Sequence, residues 1–313
     1  MIARDERPVV AAIVGPSAVG KSRAAIEIAL RLGGEIVSAD SRLLYRGMDI
    51  GTDKPSLAER ERVPHHLVDV AEPTASWSLA EYCRAAQAAI ESILRRGRLP
   101  ILVGGTGQYV RALLEGWVLQ HGASDPQVRQ AWLRAAERTS AEELYRMLAE
   151  TDPSSAARID RRNVRRVLRA LEVHQITGMP ASDQPRREPV PFSYLVFGLT
   201  LPREELYRRL DDRIDEMIAC GLVDEVRRLL LHGVPPDAPS LSAIGYAQIV
   251  RSLEGRWSLE TAIAEIRKQS RALVRHQANW FRLTDPGIEW HLGRPGVEEE
   301  LVERIKLRLA GRG

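Results

Sequence analysis

The sequence predicts an α/β protein: a P-loop core built on a parallel sheet, with an all-helical segment inserted into it. Three observations carry this. A run of β-branched residues leads straight into a Gly-rich phosphate loop and then a helix. Further buried-strand runs alternate with helical patterns, which implies parallel strands joined by crossover helices. Between about residues 118 and 195 the strand signals vanish, so that stretch is read as a helical insertion.

Taken in order, "VVAAIV" (9–14) is the first buried strand. The phosphate loop follows, and "KSRAAIEIALRL" is a helix ending at Gly33-Gly34. "EIVSAD" (35–40) is a second strand. "LPILVGGTG" (99–107) is a third, leading into the helical "QYVRALLEG". Residues 125–178 read as helical throughout, and the Pro- and charge-rich "GMPASDQPRREPVPF" (178–192) reads as a linker or loop. "SYLVFGLTL" (193–201) returns to strand character, and long helical stretches follow at about 202–232 and 258–283. The expected organisation is a core formed by 1–117 and 196–313, the latter ending in helices, interrupted by the insertion at 118–195.

The bulk numbers exclude several classes. Of 313 residues, 44% are hydrophobic and 28% charged, as in ordinary globular proteins. No apolar run approaches the roughly 20 residues that span a bilayer, and "MIARDERPVV" has no signal-peptide core. The two cysteines, Cys83 and Cys220, sit in helix-like stretches without a CxxC partner, so neither a disulfide framework nor a zinc site is expected. A reducing cytoplasm is the expected compartment. Net charge is only +3, yet just four of the 45 basic residues are lysine. That arginine excess fits either a compositional bias or contact with phosphate, which guanidinium binds bidentately.

The chemistry starts at "GPSAVGKS". Gly15, Pro16, Ser17, Ala18, Val19, Gly20, Lys21 and Ser22 fit G-x₄-G-K-[ST]. In this pattern glycines let backbone N–H groups curl around an anion, lysine neutralises it and the hydroxyl ligates Mg2+. Composition alone would produce such a match on the order of a few times in a thousand chains. Asp40 ends the second strand, where it can serve as a general base, a metal partner or a plain turn cap. Asp69 in "HHLVDV" is the other candidate partner for the metal. Thr106 in "GGTG" offers a hydroxyl at a helix start, with a simple N-cap as the alternative. In open α/β sheets ligands bind beyond the carboxyl ends of strands, so Ser22, Asp40 and Thr106 should converge on one rim.

Two arginine rows stand apart from this rim. Arg162, Arg165, Arg166 and Arg169 fall within a sector of roughly 100° on a helix, opposite Val164, Val167, Leu168 and Leu171. Lys268, Arg271, Arg275 and Arg282 form a second row, with Ile263, Ile266, Leu273, Val274 and Phe281 pointing away. Few acids sit on either row, which favours a nucleic-acid backbone footprint over a salt-bridged face. In "LYRRLDDRIDEM" the reverse holds: Arg209 and Arg213 lie among Asp211, Asp212, Asp215 and Glu216, and read as an internal ion-pair network.

Together these segments resemble the bacterial type of the tRNA dimethylallyltransferases, also called tRNA isopentenyltransferases. The resemblance rests on "GPSAVGKS", "SADSRLLYRGMDIGTDKP", "PHHLVD", "LVGGTGQY", "RALEVHQITG", "RLDDRIDEM", "IGYAQ" and "RHQANWFR", in the family's order along nearly the whole chain. It implies transfer of a dimethylallyl group from dimethylallyl diphosphate to the exocyclic amine of the adenosine 3′ of the anticodon, with Mg2+ as cofactor. On this resemblance the loop residues Gly15 to Ser22 and Arg213 hold the diphosphate, against the ion-pair reading of Arg213. Ser22 contacts the metal, Asp40 is the general base, and Thr106 meets the target nucleotide. The tRNA anticodon stem-loop would contact Asp40, Ser41, Arg42, Leu43, Thr106, Arg129, Arg165, Arg166, Arg169, Ser242, Gly245, Tyr246, Arg275 and Arg282. The insertion becomes a tRNA-binding domain, and a monomer with no membrane contact is expected. Leu43, Gln108, His276 and Asn279 depart from residues common in the family, and "LAGRG" carries no zinc finger of the eukaryotic kind. The alternatives are a P-loop small-molecule or nucleoside kinase and a tRNA-binding NTPase switch.

Overall fold

The computed structural model describes residues 6–118, 125–183 and 187–310. The start of "MIARDERPVV", the end of "LAGRG", residues 119–124 and the middle of the expected linker (184–186) lie outside it.

The first unit comprises Met1–Glu115 and Val190–Gly313. Its sheet begins with β1 (Val9–Val14), whose side chains from Val10 onward are all buried, as a parallel strand covered on both faces requires. Then come α1 (Lys21–Leu32), β2 (Gly34–Ser38), α2 (Leu57–Arg62), the two-residue β3 (His65–His66), α3 (Leu79–Arg95), β4 (Leu99–Gly104) and α4 (Gly107–Leu114). The chain then leaves for the second unit, Gly116–Pro189. That unit carries α5 (Pro126–Arg138), α6 (Ala141–Thr151), α7 (Pro153–Ala156) and α8 (Val164–Thr177). Returning, the chain adds β5 (Ser193–Thr200), α9 (Arg203–Ala219), α10 (Leu222–Leu231), a 3₁₀ turn at Ser240–Ser242, α11 (Tyr246–Leu253), α12 (Leu259–Trp280), β6 (Glu289–Leu292) and α13 (Val297–Ala310).

Among the described residues the sheet has six strands, all parallel, in the order β3-β2-β4-β1-β5-β6. β1 sits between β4 and β5, pairing Val14 with Gly104 on one side and Gly198 on the other. One face is sealed by α1 and α13, where Ala25, Ile28, Leu301 and Ile305 meet β1 and β4 side chains in one core. The second unit has its own core of Leu144, Leu148, Val167, Leu168 and Leu171. Asp152 is 1% exposed and accepts the N–H groups of Ser155 and Ser182. Burial raises its pKa, but those bonds outweigh it and hold the carboxyl at about 2.

Four differences from the sequence reading matter. Ser193 to Leu195 pair with β1, so they belong to the sheet and not to an insertion running to 195. The helical stretch at 202–232 is two helices, because Gly221 takes a left-handed φ of 97° and turns the chain between α9 and α10. The insertion side of the first arginine row starts later than expected: α8 begins at Val164, leaving Arg162 in the preceding turn. Finally β3, α3, β6 and α13 extend the core beyond the elements read from sequence.

Candidate active site

The carboxyl ends of β1, β2 and β4 deliver three loops to one rim. Close backbone approach brings them together: Ala39 N–H donates to Val103 O at 2.7 Å, and Thr106 N–H returns to Ala39 O at 3.2 Å. This requires Gly104, where a Cβ would collide with the backbone of Ala39. Gly15 is equally constrained, at φ 140° with Leu199 O where its Cβ would lie. From there the phosphate loop curls through left-handed residues at Ala18 (φ 63°) and Gly20 (φ 98°). A non-glycine residue in that region costs of order 1–3 kcal/mol and persists where the surroundings demand it.

Lys21 folds back under the loop and donates to Pro16 O at 2.6 Å. Burial pushes its pKa down to about 8; Asp40 opposes this, Arg213 adds to it and Asp53 opposes it. Asp40 accepts the Arg42 N–H through Oδ1 at 2.8 Å, so it is a turn cap as well as a free-standing carboxylate at the rim. Thr106 stands at the N-terminus of α4 without capping it; its Oγ1 accepts the Ser41 N–H at 3.1 Å instead. These bonds join the loops after β2 and β4 side by side.

Ser17 of the phosphate loop and the loops after β2 and β4 border a cavity of about 390 Å³. Ser17, Asp40, Thr106 and Arg213 form a polar part of its wall, while Leu210, Ile214, Met217, Ile266 and Leu273 form an apolar part. Leu273 belongs to the expected apolar face of the second row, yet it is 38% exposed and opens onto this cavity. Val274 and Phe281 are buried as that face requires.

Arg213 reaches the cavity from α9. Its Nη1 donates to Asp53 at 2.8 Å, across 160 positions of sequence, rather than to acids on its own helix. Its Nε is buried without a hydrogen-bond partner among the described residues. The expected network on that helix does exist but runs differently: Arg209 pairs with Glu205 and Arg208 with Asp212, while Asp211 and Asp215 pair with Arg271 and Arg267 of α12. Asp53 itself lies at φ 54° on a loop held by Glu225, a buried carboxylate that accepts the N–H groups of Asp49, Ile50 and Gly51.

The arginine rows separate on inspection. In the second unit Arg165 and Arg166 are exposed on α8, Arg129 is exposed on α5, and Arg169 pairs with Glu172 at 3.0 Å. Arg275 on α12 and Arg282 just beyond its C-terminus are exposed, with Arg275 donating to Tyr207 Oη at 3.3 Å. Lys268 pairs with Glu265 and Arg271 with Asp211, so the second row is half neutralised, contrary to the expectation of few acids. Those acids come from a neighbouring helix and from the row's own flank.

Three further expectations need revision or placement. Tyr246 is fully buried and its hydroxyl donates to Glu225, so its side chain supports the loop at 49–51 and is closed to RNA. Burial, then the Glu225 charge, pushes its phenol pKa up, keeping it a donor. Asp69 is closed to a metal: Lys54 and Arg60 each bond one of its oxygens at 2.6 Å. Ser41, Arg42 and Leu43 are part-exposed beside Asp40, Arg42 donating to Pro239 O at 3.1 Å, and Ser242 and Gly245 border the cavity.

Sequence reasoning missed Gln277, which bonds both the phosphate loop and the loop after β4. It also missed Asp53 and Glu225. Each is an ordinary polar residue whose partner lies over 150 positions away.

The IPP transferase family model matches residues 43–284. The chain belongs to the IPP transferase family. A protein named tRNA dimethylallyltransferase in Thermomicrobium roseum is 52% identical over 306 residues, covering 97% of this chain and 93% of that one. One of the same name in Geobacillus kaustophilus is 43% identical, covering 97% and 96%. Among solved structures, the tRNA isopentenylpyrophosphate transferase of Bacillus halodurans superposes with TM-score 0.71 at 37% identity, covering 98% of this chain and 97% of that one. A eukaryotic dimethylallyltransferase acting on tRNA gives TM-score 0.81 at 27% identity, over 96% of this chain and 77% of that one. The IPP transferase family model begins after the phosphate loop and Asp40; the relatives' coverage extends the likeness over nearly the whole chain.

Proposed function

We propose that this chain transfers a dimethylallyl group from dimethylallyl diphosphate to the N6 amine of the adenosine next to the anticodon on its 3′ side, giving N6-dimethylallyladenosine and diphosphate. The observation that carries this is one cavity in which a phosphate loop and Arg213 stand beside Asp40 and Thr106, with an apolar wall between helices α9 and α12. A kinase needs the first part of that arrangement and has no use for the last.

In this reading the loop amides, Lys21 and Arg213 bind the diphosphate. Arg213 lines the cavity, and its Nε has no hydrogen-bond partner among the described residues. Leu210, Ile214 and Leu273 take the dimethylallyl chain. An adenine amine inside a stacked loop is out of reach, so the base must be flipped into the cavity. The N6 lone pair then attacks C1 of the donor, the C1–O bond breaks, and its electron pair leaves with the diphosphate. Asp40 accepts the proton lost from N6, and Thr106 orients the base. Electrostatic stabilisation of the leaving group is the largest expected contribution.

Ser22 is exposed at the mouth of the loop, where a hydroxyl can hold Mg2+ against the diphosphate. When bound, Mg2+ would add positive charge opposite the departing oxygens. Arg165, Arg166 and Arg169 of the second unit, with Arg129, and Arg275 of α12 with Arg282 just after it, would bind the tRNA backbone. A monomer working in the cytoplasm completes the proposal.

The test is purified protein incubated with unmodified tRNA, Mg2+ and either labelled dimethylallyl diphosphate or labelled ATP. Label entering tRNA from the prenyl donor alone is the expected result. ATP hydrolysis without prenylation would favour the kinase reading and sink this one.

A further inference from the structure

We infer that Gln277 is a positioning residue that sets the distance between the diphosphate cradle and the loop that receives the base. The inference rests on the proposed reaction and adds a residue to it.

Gln277 sits in the last turn of α12 and is 6% exposed. Its Oε1 accepts the Ser17 N–H at 2.8 Å and the Ser17 hydroxyl at 3.3 Å. Its Nε2 donates to Gly105 O at 3.1 Å. Ser17 is in the phosphate loop and Gly105 immediately precedes Thr106, so one amide bridges the two halves of the reaction. Through Thr106 Oγ1 and the Ser41 N–H, the bridge continues to the residue beside Asp40. The last residue of the same turn supports it: Trp280 lies where a Cβ on Gly107 would be, so Thr106 is flanked on both sides by contacts from α12. Gly105 is constrained in the same way, because a Cβ there would collide with Gln277 Nε2.

The chemistry makes this spacing consequential. The reacting carbon hangs from the diphosphate, and the attacking nitrogen is placed by the loop with Thr106. Attack needs those atoms about 3–3.5 Å apart, and a misplacement of about 1 Å costs on the order of 100-fold in rate. An amide suits the place because one end accepts while the other donates. A carboxylate keeps the acceptor for Ser17 but opposes the Gly105 carbonyl and the diphosphate. A thioether keeps the shape and loses all three bonds.

Three variants test it: Gln277→Met, Gln277→Glu and Gly105→Ala, the last displacing the amide from the opposite side. The measurements are kcat and KM for transfer from dimethylallyl diphosphate to tRNA, separate affinities for inorganic pyrophosphate and for tRNA, and melting temperature. The expected result is a kcat lower by roughly 30- to 100-fold, with both affinities within about threefold for Gln277→Met and Gly105→Ala, and with pyrophosphate alone bound more weakly by Gln277→Glu. Combining Gly105→Ala with Gln277→Met should cost little beyond either alone, because both remove one interaction. A kcat within threefold of wild type overturns the inference. So does a loss shared equally by both affinities and the melting temperature, which marks a residue that only holds the fold. If wild type itself makes no prenylated tRNA, the proposed function fails instead, and the outcomes are thereby distinguished.

Discussion

Two side chains at the rim set the chemistry's dependence on charge. Asp40→Asn keeps the acceptor for the Arg42 N–H, and with it the local turn, while removing the base. General-base removal costs about 10²- to 10⁴-fold. Transfer should fall by that amount while tRNA affinity in a filter-binding assay stays within a few fold; a large affinity loss would show Asp40 to be structural. Lys21 gives a pH dependence. Its pKa is lowered to about 8, so in the free protein its charge is present below that pH and lost as pH rises through it. A bound diphosphate favours the charged form. Binding near pH 8 should therefore take up protons, and affinity should weaken above it. Calorimetry with dimethylallyl diphosphate, without tRNA, in buffers of different ionisation heat measures the uptake; none near pH 8 contradicts the assignment.

Elements differ in how much of themselves they display in sequence. β1, the phosphate loop and α1 were legible because the whole unit is local: a β-branched run, a loop with fixed glycines and a helix closed by Gly33. β3 and β6 were not, since two and four residues are too few to establish a periodicity, and both are defined only by their partners in the sheet. α3 carries a usable signal in its Ser78–Glu81 capping box and passed unread, sitting beside no chemical motif. The rim depends on a close approach that no pattern reveals, Gly104 against Ala39. Gly104→Ala forces two backbones apart and should destabilise by about 2–3 kcal/mol, read as a lower midpoint in urea unfolding. An unchanged midpoint would show that the loops have room to separate.

At the scale of the whole molecule, charge placement outweighs charge total. A net charge of +3 says little, while Arg165 and Arg166 stand exposed on one helix face. Arg165→Ala should lower tRNA affinity and reduce the slope of log affinity against log salt by about 1, leaving dimethylallyl diphosphate affinity unchanged. An unaltered slope would place Arg165 outside the RNA contact. The site's outline was readable because its groups sit at strand ends, which topology gathers without further information. Its supports were not: Gln277 and Ser17 are 260 positions apart, and Arg213 meets Asp53 over 160. Acids on α9 neutralising Arg267 and Arg271 were invisible for the same reason.

The position of β1 between β4 and β5 also sets an order of events on the ribosome. Its second neighbour, starting at Ser193, emerges about 180 residues after β1 is made. At ordinary synthesis rates that is roughly 10–40 s, during which one edge of the most apolar strand has no native partner. The second unit, made between them, is continuous in sequence and has its own core, so it can close first. The nascent chain thus carries an open sheet edge past a finished helical unit, which is the interval when a chaperone has most to protect.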